Sequence, residues 1–260
     1  MALDQPLSFQ EHGRRPPIVI LHGLFGSSRN WQRIAKALAD HAHVFALDLR
    51  NHGESPWSDT MTYPEMADDV RRFIEERCAE PPAIVGHSMG GKTAITLAMT
   101  APEVLDRLVI VDIAPARSNS DHLHLVQAMQ AVDLDGLTRR AEVDAWLADE
   151  VPEAPTRSFL LQNLGPGPEG GLRWRLNLHA IAHNMAILRD FDEALTRQTF
   201  AKPTLLVEGE ASDYVRPEHY LIYQHMFPRL QMSVIEGAGH DVHADRPDAF
   251  LNRVQDFLFA

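Results

Sequence analysis

The stretch from Val85 to Ile95, VGHSMGGKTAI, places a serine between two glycines with one residue on each side. A short apolar run precedes Ser88 and a helix-forming run follows it. This context predicts a sharp turn from a strand into a helix, with the serine held at its tip in a strained conformation. Side chains two positions before or after the serine would collide with neighbouring backbone, which accounts for Gly86 and Gly90. The helix that follows directs free N–H groups and its positive dipole end at Ser88.

The rest of the chain alternates short apolar runs with stretches of helical spacing. Six runs are predicted as strands, at 18–22, 44–49, 83–86, 108–111, 204–207 and 231–235. Strands that alternate with helices form βαβ units around a parallel sheet. Continuous apolar runs suit strands that are buried on both faces. We therefore expect an α/β fold with a mostly parallel central sheet flanked by helices.

The segment from 115 to 198 differs, because it carries no clear strand. Helical spacing predicts helices at 123–132, 139–151 and 172–188. Pro152 and Pro155 are expected to interrupt the helices. The segment is therefore predicted to be a helical cap, inserted after the sixth strand of the sheet. The expected division is a core formed by 1–114 and 199–260 and a cap formed by 115–198.

A serine hydroxyl is a weak nucleophile that needs a base, and the base needs an acid to orient it. In sites built on such a turn, the chain order is serine, acid, histidine. His240 is the candidate base, because it follows the last predicted strand in the glycine-rich loop GAGH; His243 in the same loop is a weaker candidate. Asp112 and Asp213 each follow a predicted strand at the carboxyl edge of the sheet, where sites form. The loops alone leave the choice of acid open.

Two backbone N–H groups are expected to bind the oxyanion that forms during acyl transfer. One belongs to Met89, directly after Ser88. The other comes from the loop HGLFG that follows the first predicted strand. We expect the Leu24 amide to be this donor, with Phe25 as the alternative.

Composition limits the partners and the location. The chain has 260 residues and a net charge of −12, so it has no electrostatic attraction to nucleic acid or to anionic membranes. No run approaches the roughly 18 apolar residues of a membrane span, and the N-terminus lacks the apolar segment of a signal peptide; we expect a cytoplasmic protein. Cys78 is the only cysteine. His179 and His183 have helical spacing, but no glutamate or third ligand accompanies them. We therefore expect neither a metal nor a cofactor.

Five segments resemble α/β-hydrolases over nearly the whole chain, namely LHGLFGSSRNW, ALDLRNHGES, GHSMGGK, VIVDIAP and GAGHDVHADRP. More narrowly, they are similar to the YbfF-type bacterial esterases. The resemblance implies the α/β-hydrolase fold and a serine carboxylesterase or thioesterase. Such an enzyme uses a Ser-Asp-His triad and an acyl-enzyme intermediate on short acyl esters or thioesters. Cofactor-free haloperoxidases, C–C bond hydrolases and non-catalytic ligand-binding relatives are the alternatives on the same fold.

The resemblance also bears on the acid. In YbfF-type enzymes it is the aspartate of the DIAP run, which here is Asp112. These enzymes usually lack an aspartate at the position of Asp213, so its presence keeps Asp213 as the alternative. A second departure is Asp241, because the family usually places a large aromatic residue after the catalytic histidine. The Asp241 carboxylate is expected either to favour a charged His240 or to face solvent.

The cap is expected to form the acyl pocket. An apolar stripe at helical spacing is core by default, so most apolar positions of the cap should pack within it. The residues expected to contact the substrate are Phe25, Trp174, Leu178 and Ile181. The expected partner is a small-molecule ester or thioester, and the oligomeric state stays open.

Overall fold

A computed structural model describes residues 3–167 and 170–260 of the chain. Its strands are β1 (Phe9–Gly13), β2 (Pro17–Leu21), β3 (His43–Leu47), β4 (Ala83–His87), β5 (Arg107–Val111), β6 (Leu164–Pro166), β7 (Leu172–Trp174), β8 (Thr204–Gly209) and β9 (Leu230–Ile235). Seven of them form one sheet in the order β1-β3-β2-β4-β5-β8-β9. Only β1 runs antiparallel to its neighbour within this sheet. The predicted mostly parallel α/β sheet is confirmed.

The sheet separates two apolar cores. Ile18 and Ile20 of β2 belong to one core, and Val19 and Leu21 belong to the other, because successive side chains of a strand point to opposite faces. All five residues of β2 are buried. Burial on both faces explains why this strand appears in the sequence as a continuous apolar run.

Helices cover both faces of the sheet. They are α1 (Gln32–Leu38), α2 (Tyr63–Arg77), α3 (Met89–Thr100), α4 (Leu123–Ala131), α5 (Arg140–Leu147), α6 (Ala154–Leu161), α7 (Leu178–Arg189), α8 (Tyr220–Met226), α9 (Val242–Asp245) and α10 (Pro247–Leu258). The apolar side chains of α1 and α10 pack on one face, and those of α2, α3 and α8 pack on the other. Across residues 3–167 and 170–260, no helix combines the length and apolarity needed to cross a bilayer.

The insertion between β5 and β8 contains α4 to α7. It follows the fifth strand along the chain, so the predicted position after the sixth strand is wrong. The apolar runs did not reveal β1, because this edge strand is only partly buried and carries polar residues, FQEHG. The boundaries predicted for the cap at 115 and 198 stay predictions.

Two short strands also lie in this insertion, where only helices were predicted. β6 and β7 pair antiparallel as a separate two-stranded sheet. The predicted helix over 172–188 is therefore wrong at its start, and α7 begins at Leu178. The Asn177 side chain accepts a hydrogen bond from the Ala180 N–H at 3.2 Å and caps this helix. Strands of three residues are too short for the alternating pattern that identifies a strand.

The effect predicted for Pro155 is also wrong. Pro155 was expected to interrupt helical structure, but it occupies the first turn of α6. A proline is tolerated there, because the N–H it lacks would have no partner within the helix. Proline at this position marks the start of a helix and does not break one.

The carboxyl end of α7 is fastened to the core. The Lys92 ammonium donates to the backbone oxygens of Arg189 at 2.9 Å and Asp190 at 3.0 Å. The Tyr63 hydroxyl donates to the Leu188 oxygen at 2.6 Å. Terminal carbonyls of a helix lack partners within the helix and attract cations. Burial lowers the pKa of Lys92 to about 7, because removing the ammonium from water is unfavourable. The contacts with the two carbonyl oxygens offset part of this loss of solvation.

Candidate active site

Ser88 lies at the junction between β4 and α3. Its backbone has φ 51° and ψ −116°, a sparsely populated conformation that costs about 1–3 kcal/mol in a non-glycine residue. A Cβ at Gly86 would overlap the carbonyl of Gly90, and a Cβ at Gly90 would overlap the carbonyls of Leu21 and His22. The turn that the sequence predicted therefore depends on both glycines, for the steric reason expected.

His240 and Asp112 are in direct contact. The His240 Nδ1–H donates to Asp112 Oδ2 at 2.8 Å. Asp112 is fully buried, and its Oδ1 accepts from the Gly209 N–H at 3.0 Å. Ser212 Oγ–H also donates to Oδ2. The last residue of β8 and the loop that follows it thus supply one donor each to the carboxylate, whereas Asp213 on that loop is exposed.

Two neighbours that the sequence analysis did not identify fix the position of His240. The Tyr214 ring stacks on the His240 ring at 3.6 Å between centroids and 14° between planes. The His87 Nε2–H donates to the His240 backbone oxygen at 2.9 Å. Burial lowers the pKa of His87 to about 4, so its ring is neutral at neutral pH. In the sequence, Tyr214 follows Asp213 and His87 precedes Ser88. Only the fold brings their rings to His240.

The loop after β2 approaches the serine closely. A Cβ at Gly23 would lie 3.2 Å from the Ser88 Cβ, so only glycine fits there without displacement. His22 holds this loop: its Nε2 accepts from the Leu49 N–H at 2.9 Å and its Nδ1–H donates to the Gly23 oxygen at 2.8 Å. Burial lowers the pKa of His22 to about 4. A neutral imidazole is required, because one nitrogen accepts while the other donates.

The expected oxyanion donors border the same space. Leu24 and Phe25 line one cavity with Ser88 and Met89. Met89 is the first residue of α3, and the N–H of a first helical residue has no acceptor within its helix. Phe25 has φ 61°, and its carbonyl accepts from the cap residue Asn163 at 2.8 Å. The loop conformation is therefore supported from both the core and the cap.

The cavity lies between the core and the insertion and is partly open to solvent. It measures about 290 Å³, close to the lower limit of roughly 300 Å³ for small-molecule sites. Its apolar lining from the insertion consists of Leu125, Pro155, Phe159, Leu160, Met185 and Leu188. His240 lines the cavity as well, whereas Asp213 does not. The arrangement gives a hydroxyl and an imidazole access to one largely apolar space.

Three residues expected at the substrate lie outside this lining. Leu178 and Ile181 are buried in the apolar core, and the Trp174 indole N–H donates to the Met129 oxygen at 3.1 Å. Their placement in the acyl pocket is corrected to packing within the cap, whereas Phe25 does line the cavity. Helical spacing identifies a buried face but does not distinguish packing against the cap from contact with the cavity.

A family model described as the alpha/beta hydrolase fold matches residues 16–247. The chain belongs to the alpha/beta hydrolase family. The matched range includes the serine turn, the buried aspartate and the loop of His240, so the site lies within the part of the chain that defines membership.

Named relatives within the alpha/beta hydrolases support the narrower resemblance. The chain is 31% identical over 250 residues to the esterase YbfF of Escherichia coli, covering 96% of this chain and 95% of that protein. It is 41% identical over 251 residues to the Xenopus tropicalis sn-1-specific diacylglycerol lipase ABHD11, covering 94% and 78%. Its fold matches a solved marine microorganism esterase at a TM-score of 0.91 and 33% identity, covering 97% and 99%. The resemblance to YbfF-type esterases is confirmed.

The histidine pair with helical spacing lies outside the cavity of this alpha/beta hydrolase. His179 and His183 are exposed on α7, and neither lines the cavity of Ser88. The expectation that the chain needs no metal or cofactor stays a prediction.

Proposed function

We propose that the chain is a serine carboxylic ester hydrolase in which Ser88 is the nucleophile, His240 the base and Asp112 the orienting acid. The observation that carries this proposal is the 2.8 Å hydrogen bond from His240 to the buried Asp112, at a cavity that His240 shares with Ser88. The names of the relatives, esterases and an acylglycerol lipase, support the same class of reaction.

Acylation begins when the Ser88 hydroxyl attacks the ester carbonyl while His240 Nε2 takes its proton. Asp112 accepts the Nδ1–H, which leaves Nε2 as the acceptor and stabilises the imidazolium that forms. The carbonyl oxygen becomes an oxyanion, and the N–H groups of Met89 and Leu24 stabilise it. His240 then gives its proton to the leaving alcohol or thiol. Water repeats the sequence on the acyl-enzyme and releases the acid.

The supports around His240 favour this chemistry. The Tyr214 ring lies parallel to the imidazole, so its π-face interacts with the ring that becomes positively charged, in the manner of a cation–π contact. The His87 hydrogen bond holds the backbone of His240. Rigid placement is what converts a nearby base into an effective one.

The proposed substrates are small esters or thioesters whose acyl group is apolar. Six apolar side chains of the cap face the cavity and favour an apolar acyl group. Lys92 and Arg189 also line it, but the Lys92 ammonium binds backbone oxygens at the end of α7 and the Arg189 guanidinium pairs with Asp121. The ranking of acyl chain lengths follows from how far a chain extends toward Leu160 and Met185, which lie on the cap side of the cavity.

The test is turnover of p-nitrophenyl esters from acetate to dodecanoate, with a diacylglycerol and an acyl thioester in the same panel. We expect sustained hydrolysis with an optimum among the shorter chains. A fluorophosphonate probe should label Ser88, and Ser88→Ala should abolish labelling and nearly all hydrolysis. Binding without turnover would favour a non-catalytic relative. Labelling at another serine, such as Ser27 or Ser28, would remove Ser88 as the nucleophile.

A further inference from the structure

A cluster of side chains lies beside His240, on the cavity that His240 shares with Ser88. His87, Asp241 and His243 each offer one ligand atom, and these atoms all lie within 4.8 Å of one another. The His87 Nε2 is 3.9 Å from an Asp241 oxygen, and the His87 and His243 rings are 5.0 Å apart between centroids. Within the described ranges, this is the one group of histidine, cysteine and carboxylate side chains close enough to hold a metal ion.

His243 is an unusual member of this cluster. It is buried, with 7% of its surface exposed, and its ring stacks on Trp31 at 4.0 Å and 7°. Its Nδ1 has no hydrogen-bond partner among the described residues. A buried polar atom without a partner is destabilising, so such an atom is rare unless it serves a purpose. The Trp31 stack fixes the ring in this position and leaves a nitrogen of the imidazole unused by the protein.

The donor set points to a particular class of ion. Two imidazoles and one carboxylate suit Zn²⁺ and similar divalent transition metals, whereas Mg²⁺ and Ca²⁺ prefer oxygen ligands. Ligands held about 2.0–2.1 Å from Zn²⁺ in a tetrahedron lie roughly 3.3 Å apart. The Asp241 side chain is 50% exposed, so it is free to rotate and close the remaining gap. Water completes the fourth position.

We propose that His87, Asp241 and His243 form an inhibitory site for a divalent transition-metal ion. His243 carries the inference, because its buried Nδ1 has no partner among the described residues and its ring belongs to a group whose ligand atoms lie within 4.8 Å of one another. This site does not involve His179 and His183, the pair with helical spacing, which lie exposed on α7. It is built from a buried histidine pair and one accessible carboxylate.

Occupancy of this site acts on the proposed base. The His87 Nε2–H donates to the His240 backbone oxygen at 2.9 Å. A metal bound at Nε2 requires that nitrogen to lose its proton, and the neutral ring then carries its proton on Nδ1. The hydrogen bond that holds His240 is therefore lost when the metal binds. This inhibition rests on the proposed esterase function, but metal binding itself does not.

The experiment uses the untagged full-length protein and measures Zn²⁺ binding by calorimetry, with Co²⁺ absorption as a second readout. Wild type should bind one ion per chain, and Co²⁺ should show a four-coordinate spectrum. Asp241→Asn should weaken binding at least about tenfold, because the loss of a ligand should cost no less than the roughly 10–100-fold measured for groups that only support a ligand. Because Asp241 is half-exposed, this variant should fold; His243→Gln should weaken binding likewise. The matched control is the surface pair variant His179→Ala with His183→Ala, which should bind as wild type does.

Esterase activity in Zn²⁺-buffered solutions provides the independent arm. The inhibitory concentration should rise in Asp241→Asn by the same factor as the dissociation constant. If the protein binds Zn²⁺ through Asp241 but hydrolyses no ester, the proposed function fails and the metal site stands. Absence of saturable binding, equal binding by wild type and Asp241→Asn, or loss of binding in the His179 and His183 variant would each overturn the site.

Discussion

Replacing Asp112 with asparagine tests the proposed acid in a way that the surrounding hydrogen bonds make quantitative. The carboxylate accepts from the Gly209 N–H at Oδ1 and from His240 Nδ1 at Oδ2. An asparagine offers one acceptor and one donor at these two positions. With its oxygen opposite Gly209, its NH₂ group faces His240 Nδ1. The imidazole must then carry its proton on Nε2, where it cannot accept the proton of Ser88.

The opposite orientation of the amide restores the useful tautomer at a cost. It places the NH₂ group against the Gly209 N–H and leaves two buried donors without acceptors, which costs about 2–6 kcal/mol at 1–3 kcal/mol each. At about 1.4 kcal/mol per tenfold in rate, this corresponds to a loss of about 30-fold to 10⁴-fold. Comparable triads locked in the wrong tautomer lose about 10⁴ in kcat. We therefore expect a loss in this range, with KM nearly unchanged.

The assay is steady-state hydrolysis of p-nitrophenyl butyrate by Asp112→Asn, with folding checked by circular dichroism and urea unfolding. Asp213→Asn is the matched control, because Asp213 is exposed on the loop that contacts Asp112. It should cost less than about tenfold, or about 1.4 kcal/mol. A folded Asp112→Asn within tenfold of wild type would refute the reasoning. A larger loss in Asp213→Asn would transfer the role to that residue.

Four further outcomes are expected. Ser88→Ala should retain the fold but lose nearly all ester turnover, down to the roughly 10³–10⁴-fold over water that the oxyanion hole and binding alone supply; turnover within about tenfold of wild type would mean that a second nucleophile acts. Tyr214→Leu should lower kcat by about two- to tenfold, the value of an aromatic stack of 0.5–1.5 kcal/mol, whereas Tyr214→Phe should be near wild type; equal losses in both variants would assign the effect to the hydroxyl. Leu160→Ala should shift the preference toward longer acyl chains, and Leu178→Ala, outside the cavity, should not; identical profiles in competition assays would place the pocket elsewhere. Burial holds the pKa of His22 at about 4, below the roughly 6.5 of an unfolded histidine. Between these pH values the unfolded chain binds more protons than the folded one. The resulting contribution to the unfolding free energy, about 3 kcal/mol, is therefore fully present above about pH 6.5 and is lost as the pH falls to about 4. His22→Gln should reduce that slope in urea titrations, and an unchanged slope would contradict the argument.

The parts of the fold that were predictable from sequence are those with strong local requirements. The turn at Ser88 needs glycine at 86 and 90 because backbone atoms occupy the space of a side chain. Buried strands such as β2 are evident as unbroken apolar runs. β1 was not detected, since an edge strand that is partly exposed has no such run. The β6–β7 pair escaped detection because three residues do not define a period.

For the candidate site, the sequence indicated which loops carry the residues but not which side chains contact one another. Sequence order named His240 and two aspartates, but the distance between a carboxylate and an imidazole is a property of the folded sheet edge. Tyr214 reaches His240 from the loop after β8 and His87 from the end of β4, and no spacing in the sequence signals these contacts. The same limit applies to the cap, where spacing indicated buried positions such as Ile181 but not which of them face the cavity.

The way Lys92 holds α7 has an evolutionary consequence. Lys92 lies one turn beyond Ser88, and its own N–H donates to the Ser88 carbonyl at 3.0 Å. Its ammonium binds main-chain oxygens at the end of α7, and main-chain oxygens are supplied by any amino acid. Substitutions along α7 can therefore change the side chains that line the cavity, while α7 stays attached through Lys92 to α3, the helix that begins after Ser88. A deletion that shortens α7 would withdraw those oxygens, so diversification of substrate range should proceed by replacement of side chains and not by changes in the length of this helix.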